Sequence, residues 1–189
     1  MLIRSISTLA CTAILATASL AQMAPMHHEG AKATDKSAKP LASPAASAEV
    51  SLNGKDIKIT YNSPRMRGRK IMGGLVPYGE VWRTGANPAT TLITAANLKI
   101  GTLTVPAGTY TLFTLPSEGQ WLFIVSKKTG EWGIPYPEGN DLGRTPMEGK
   151  TLSEPQENMS ISFENTKGNT TELHVKWEKA DQYVTVTAE

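Results

Sequence analysis

Cysteine and histidine are scarce in this chain of 189 residues. Its single cysteine, Cys11, lies in an N-terminal stretch that we expect to be removed, which excludes disulfide bonds and thiol catalysis in the remaining protein. Two of the three histidines, His27 and His28, fall in a segment that we expect to be disordered. One histidine and no cysteine in a folded domain argue against a tight transition-metal site, and we predict no metal and no cofactor.

The chain also lacks an excess of charge of either sign. Loss of the N-terminal stretch removes Arg4 and leaves 18 basic against 17 acidic side chains, a net charge of +1. Such a balance does not favour nucleic acid or an anionic membrane as the main partner. No window shows apolar residues at a spacing of 3.6, so no amphipathic helix is predicted.

The first 21 residues have the pattern of a secretory signal peptide. Arg4 supplies a positive start, residues 6–20 are apolar and rich in alanine, and Ser19-Leu20-Ala21 places small residues where signal peptidase cleaves. We therefore expect cleavage after Ala21 and a periplasmic or secreted protein without a transmembrane segment. A lipoprotein site at Cys11 is disfavoured, because most of the apolar stretch follows it.

Residues 22–48 are predicted to form a disordered linker, and residues 49–189 a single domain. The linker is rich in Ala, Ser, Pro and Lys and has little apolar surface to bury. In the domain, apolar and polar residues alternate with a period of two almost throughout, and turn sequences such as Asn53-Gly54 interrupt this alternation. Predicted strands cover residues 50–52, 57–61, 91–95, 98–105, 109–115, 121–126, 159–164, 171–179 and 183–187.

Eight or nine short strands indicate an all-β fold, an antiparallel β-sandwich or a partly open barrel, and we favour the sandwich. Residues 121–125 are apolar on both faces, which predicts a central strand. In the last long strand the pattern places Leu173, Val175 and Trp177 in the core and His174 on a wetter face. Two long irregular loops are expected, at residues 64–87 and at residues 131–155, where prolines and glycines cluster.

The first of these loops is the predicted binding site. It carries four arginines, and a Gly-rich backbone with guanidinium groups is suited to bind carboxylate or phosphate. We expect Arg65 to point into solvent, whereas Arg67, Arg69 and Arg83 are candidate anion ligands. For Arg83 the alternative is an ion pair with Glu80.

Aromatic and amide side chains add to this prediction. Tyr78 and Trp132 are candidates for stacking on a sugar or another flat ligand, whereas Trp82 is expected in the core. Asn87 is a candidate to bind a ligand hydroxyl group, with capping of its own loop as the alternative.

Three stretches of the sequence resemble a known family. They are residues 68–87 (GRKIMGGLVPYGEVWRTGAN), residues 105–114 (VPAGTYTLFT) and Trp132-Gly133. They are similar to the secreted bacterial proteins of domain-of-unknown-function family 2911, and the similarity extends over the domain after the linker. The resemblance implies an exported β-rich domain with no established activity, and it supplies no catalytic residues.

The sequence favours non-catalytic binding of a polar or anionic small molecule or a glycan. A Ser-His-acid triad would need His174, and no Gly-x-Ser-x-Gly motif is present. One alternative is a glycan hydrolase that uses two of the loop acids Glu80, Glu131, Asp141 and Glu148. Another is a cell-envelope module that binds a protein partner along an exposed strand edge.

Overall fold

A computed structural model describes residues 42–189, and every regular element among them is a β-strand. The strands are β1 (Ala45–Leu52), β2 (Lys55–Asn62), β3 (Thr90–Thr94), β4 (Leu98–Ile100), β5 (Leu103–Val105), β6 (Gly108–Leu115), β7 (Leu122–Ser126), β8 (Asp141–Pro146), β9 (Glu148–Lys167) and β10 (Thr170–Ala188). The predicted signal peptide, its cleavage site and residues 22–41 of the predicted linker lie outside the described residues. Within residues 42–189 there is no helix of the length and apolarity needed to cross a membrane.

The strands form two antiparallel sheets. One has six strands in the order β1-β2-β3-β6-β7-β8, and the other has four in the order β5-β4-β10-β9. The main hydrophobic core draws on both sheets, and neither sheet closes into a barrel. The predicted β-sandwich is confirmed, with ten strands in place of eight or nine.

Strand β2 shows how the alternation of apolar and polar residues determines which side chains face the core. Ile57, Ile59 and Tyr61 are buried in the core, and Lys58 between them is exposed. The turn before β2 is formed by Asn53 and Gly54, both with positive φ (51° and 71°), as a two-residue hairpin requires. Leu52 pairs with Lys55 across this turn, which confirms the predicted hairpin and fixes which side chains of β1 and β2 face the core.

Strand β7 is covered on both faces, as predicted for residues 121–125. Phe123 and Val125 contribute to the main core between the sheets. Ile124 faces outward and packs with Phe113 and Ala89 in a second, smaller apolar cluster. Loop residues, among them Val81 and Tyr136, pack against this outer cluster and cover it. The candidate site is built from the loops to which they belong.

The second irregular segment is shorter than expected, because β8 and the start of β9 occupy residues 141–155. Both strands lie at sheet edges, where proline is tolerated since one side of the strand has no partner. Pro146 ends β8 and Pro155 lies within β9. Gly143 is in β8 for a packing reason: a Cβ there would lie 2.5 Å from the Leu103 side chain.

Two further boundaries differ from the sequence prediction. Strand β1 begins at Ala45 instead of residue 50, so the last four residues of the predicted linker belong to a strand. Strand β10 continues through residues 180–182, where two separate strands were predicted. Irregular pairing with β9 on either side of Glu178 absorbs this interruption of the pattern.

Candidate functional site

Two loops meet on the outer face of the six-stranded sheet. The arginine loop (residues 63–89) connects β2 to β3, and the Trp132 loop (residues 127–140) connects β7 to β8. The Ala89 amide donates a hydrogen bond to the Glu131 carbonyl oxygen at 3.0 Å. The Trp132 loop crosses the outer face of the sheet, where Tyr136 packs edge-on against Phe113 with ring centroids 5.0 Å apart. The two loops thus contact each other and the sheet beneath them.

Three of the predicted arginines line one cavity. Arg67, Arg69 and Arg83 all border a depression of about 410 Å³, hereafter the arginine cavity. The guanidinium of Arg69 donates to the carbonyl oxygens of Met66 (3.0 Å) and Arg65 (2.7 Å). These two bonds fix Arg69 against its own loop. The structure thus brings these three arginines of one loop to the same cavity.

Arg83 is held by the Trp132 loop. Its Nη1 donates to the Trp132 carbonyl oxygen at 3.0 Å, and its Cζ lies 5.2 Å from the centroid of the Trp132 ring. Partial burial lowers the pKa of the Arg83 guanidinium. The alternative ion pair with Glu80 does not form among residues 42–189.

The three arginines of the cavity have no acidic partner in the part of the chain that the structure describes: no carboxylate oxygen lies within 4.0 Å of their side-chain nitrogens. Arg144 shows the contrast, because its Nε lies 2.7 Å from Asp141 and this hydrogen bond raises its pKa. Three cations without a counter-ion around one depression give it a positive potential, strengthened by the apolar walls.

Apolar side chains form part of the wall of the arginine cavity. Trp82 and Trp177 line it and stack on each other, with ring centroids 5.8 Å apart. Leu75 and Ile134 also border it, although they are 48% and 66% exposed. Trp82, which we expected in the core, does pack against the core and also lines the cavity.

The remaining predicted site residues lie elsewhere or at the margin. Tyr78 lies in a separate groove with Trp121 and Lys150, where its ring packs against Gly73. Asn87 is exposed with a φ of 59°, and it does not line the arginine cavity. Trp132, 55% exposed, does not line the cavity directly and reaches it only through Arg83.

Arg65 differs from its prediction. It is partly buried, bridges to Asn158 of β9, and its Nε is buried without a hydrogen-bond partner among the described residues. Arg65 therefore joins the arginine loop to the four-stranded sheet through its backbone, and its side chain is not a free surface cation.

Sequence reasoning missed the acids that hold the arginine loop in place. Glu178 of β10 accepts hydrogen bonds from the amides of Ile71 (3.4 Å) and Met72 (3.0 Å). Glu157 of β9 accepts one from the Arg67 amide at 3.0 Å. Both carboxylates bond to backbone N–H groups, so they order the loop without neutralising its guanidinium groups. Their separation from the loop by 90 to 107 positions leaves no local signal in the sequence.

His174 was predicted on a wetter face, and this was wrong: it is 2% exposed. Its Nδ1 lies 2.6 Å from Asp181 and its Nε2 lies 3.0 Å from Glu172, while the ring of Tyr183 stacks over it at 4.9 Å. Ser162, opposite on β9, donates its hydroxyl to Glu164. Both ring nitrogens of His174 thus face carboxylates and not a serine hydroxyl.

The four loop acids proposed for a glycan hydrolase do not line the arginine cavity. Glu131 lies 3.5 Å from Lys128, and Glu148 accepts a hydrogen bond from the Tyr183 hydroxyl at 2.6 Å. Asp141 contacts Arg144 and accepts a hydrogen bond from Tyr136; burial and this bond raise the pKa of Tyr136 to about 12. Residues 42–189 contain no group of three or more His, Cys, Asp or Glu placed to hold a metal ion.

Comparison with known proteins gives one result that covers most of the chain. The family described as "Protein of unknown function (DUF2911)" matches residues 43–186, a range that includes β1 to β9, the arginine loop and nearly all of β10. No curated protein and no solved structure gives a significant match. The matched range spans well over half of the sequence, and the chain belongs to the DUF2911 family.

Proposed function

We propose that this protein binds a small anionic ligand in the arginine cavity without changing it chemically. The observation that carries the proposal is the convergence of Arg67, Arg69 and Arg83 on one cavity with no carboxylate within 4.0 Å of their side-chain nitrogens among the described residues. A guanidinium group binds carboxylate or phosphate through two parallel N–H donors. A carboxylate or phosphate ligand would supply the negative charge that no side chain of residues 42–189 supplies beside these guanidinium groups.

The lining of the cavity supports binding over catalysis. Its only ionisable side chains within residues 42–189 are the three arginines, and its only hydroxyl group is that of Ser43. General acid–base chemistry at neutral pH usually needs His, Asp, Glu or another group with a pKa near the working pH. The arginines hold a charge in place and are poorly suited to move protons.

The N-terminal sequence supports export to the periplasm or the outside of the cell. Its support is the signal-peptide pattern of residues 1–21. The mass of the protein recovered from its host tests this part of the proposal: a chain that begins at Gln22 agrees with cleavage after Ala21. A chain that retains Cys11 would contradict the proposed cleavage.

Titration calorimetry of the purified protein tests the binding proposal. Phosphate, sulfate, acetate, succinate, glucose and ethylammonium are compared at low ionic strength, since salt screens exposed charges. At least some of the anions should bind, and glucose and ethylammonium should not. Binding should weaken by about tenfold in Arg83→Lys, which keeps the charge and loses the paired donors, whereas Lys99→Gln, an exposed cation of β4, serves as control. Equal affinity for glucose and for the anions would contradict the proposal.

A further inference from the structure

The polar atoms of the two tryptophans in the arginine cavity are already satisfied within the protein. Trp82 Nε1 donates to the Gly85 carbonyl oxygen at 3.1 Å, and Trp177 Nε1 donates to the Glu157 carbonyl oxygen at 3.2 Å. An indole ring has no other hydrogen-bonding atom. These side chains therefore offer a ligand no hydrogen-bond donor, and an inorganic anion would leave their apolar surface without a suitable contact.

The rim of the cavity is apolar in places where a loop would normally be polar. Leu75 of the arginine loop is 48% exposed, and Ile134 of the Trp132 loop is 66% exposed. Both border the same cavity. Scattered exposed apolar side chains need no explanation, but these two border one cavity that Trp82 and Trp177 also line, and together they give that cavity an apolar part.

The cations border the same cavity as these apolar side chains. Arg67 and Arg69 are exposed and Arg83 is half-buried, whereas Trp177 is buried. A ligand that satisfies both parts must carry a negative charge for the guanidinium groups and hydrocarbon for the apolar side chains. The presence of guanidinium groups and apolar side chains in one cavity is complementary to an amphiphilic acid.

We propose that the ligand is a small amphiphilic acid, with one carboxylate or phosphate group held by the arginines and an aliphatic or aromatic body packed against Trp82, Leu75 and Ile134. This inference rests on the proposed function and narrows its ligand class. A free molecule is favoured over a membrane surface because the contacts line a cavity of about 410 Å³, within the size range of small-molecule sites.

A homologous series of carboxylates tests the inference by titration calorimetry of the full chain. From acetate to butanoate to hexanoate, the Kd should fall about fourfold for each methylene that enters the cavity, so that burial of two of the four added methylenes makes hexanoate bind roughly tenfold tighter than acetate or more. A Kd that does not depend on chain length would overturn the amphiphilic ligand and leave the anion site intact. Equal binding of hexanoate, hexylamine and 1-hexanol would instead overturn the proposed anion site itself.

A pair of isoleucine variants locates the apolar contact. Ile134→Ser should reduce the preference for hexanoate over acetate at least threefold, because it removes hydrocarbon from the rim. Ile93→Ser is the matched control: Ile93 is 46% exposed on β3 and does not line the arginine cavity. An unchanged preference in Ile134→Ser, or an equal loss in both variants, would overturn the proposal.

Vesicles distinguish a free acid from a lipid surface. The protein should not sediment with vesicles of phosphatidylcholine and phosphatidylglycerol at the salt concentration at which hexanoate binds. Sedimentation with these vesicles in the absence of hexanoate binding would overturn the proposal in favour of a membrane surface.

Discussion

The guanidinium of Arg83 lies over the indole ring of Trp132, 5.2 Å from Cζ to the ring centroid, and donates a hydrogen bond to the carbonyl oxygen of the same residue at 3.0 Å. One residue of the Trp132 loop thus contacts the arginine by both its ring and its backbone. The second Nη of Arg83 has no such bond in the part of the chain that the structure describes. The contact orients the guanidinium and leaves donors for a ligand.

Arg83→Ala should reduce the free energy of unfolding by only about 1 kcal/mol, the usual scale of one hydrogen bond together with a partly exposed cation–π contact. The reason is that no carboxylate within residues 42–189 pairs with Arg83, so the substitution strands no buried charge. Urea denaturation of Arg83→Ala and of the control Lys99→Ala measures the difference. A loss of about 3 kcal/mol or more would indicate a buried ion pair in place of a ligand site.

Glu178→Gln should loosen the arginine loop without removing any cation from it. The carboxylate accepts hydrogen bonds from the amides of Ile71 and Met72, and an amide side chain can accept only through its single oxygen. We expect a loss of about 1 to 2 kcal/mol in stability and faster hydrogen exchange at these two amides.

Glu118→Gln is a suitable control for that experiment. Glu118 borders the same groove as Glu178 and is exposed, with no ion pair among the described residues. Slow exchange at Met72 that persists in Glu178→Gln would show that other contacts, such as the bond from the Val76 amide to Ile71, are sufficient to order the loop.

Gly133 and Gly139 allow steric crowding to be separated from backbone strain. Both lie in the Trp132 loop with positive φ, 84° and 76°. A Cβ at Gly133 would lie 3.0 Å from the Cβ atoms of Ala89 and Arg83, whereas a Cβ at Gly139 has nothing within 4 Å. We expect Gly139→Ala to cost about 1 kcal/mol and Gly133→Ala about 1 to 3 kcal/mol more, with weakened ligand binding only in the latter. Equal losses in thermal denaturation would show that the two loops are not tightly packed at Gly133.

The sequence was sufficient for the fold where one local rule decides the structure. The alternation in β2 and the Asn53-Gly54 turn each determine their own geometry, and both predictions are confirmed. The rule that Pro and Gly break strands gave the wrong result for residues 141–155. At a sheet edge these residues are compatible with pairing on one side, and edge position depends on the order of strands and not on local sequence.

The sequence indicated which residue types form the candidate site better than it indicated where each of those residues lies. The concentration of arginines in one loop pointed to Arg67, Arg69 and Arg83, which the structure brings to one cavity. Part of the apolar wall of that cavity comes from Trp177 of β10 and Ile134 of the Trp132 loop, which lie far along the chain and reach the arginine loop only through tertiary contacts. Tyr78 belongs to the same loop but lies in another groove, because the loop turns back on itself between Lys70 and Val76.

The cluster around His174 should make stability depend on acid pH. Burial opposes ionisation of Glu164, but hydrogen bonds from Lys176 and Ser162 outweigh it and lower the pKa of Glu164 below its ordinary value of 4.5. Hydrogen bonds from Asn165 and His174 lower the pKa of Glu172. Because both carboxyl groups have a lower pKa in the folded protein, their contribution to stability is complete above pH 4.5 and is lost as pH falls through the folded values.

The variant Glu164→Gln tests whether this carboxyl group makes stability depend on pH. At pH 7 this variant should be less stable than the parent by about 0.5 to 1 kcal/mol, a small effect because the side chain is 35% exposed and partly screened by solvent. The difference should shrink as pH falls from 5 to 3, since the parent then loses the same charge by protonation. Glu154→Gln, an exposed acid of β9 without an ion pair among the described residues, should show no such convergence. Urea midpoints at pH 7, 5, 4 and 3 measure all three proteins, and a gap that stays constant down to pH 3 would show that Glu164 contributes no acid-sensitive stability.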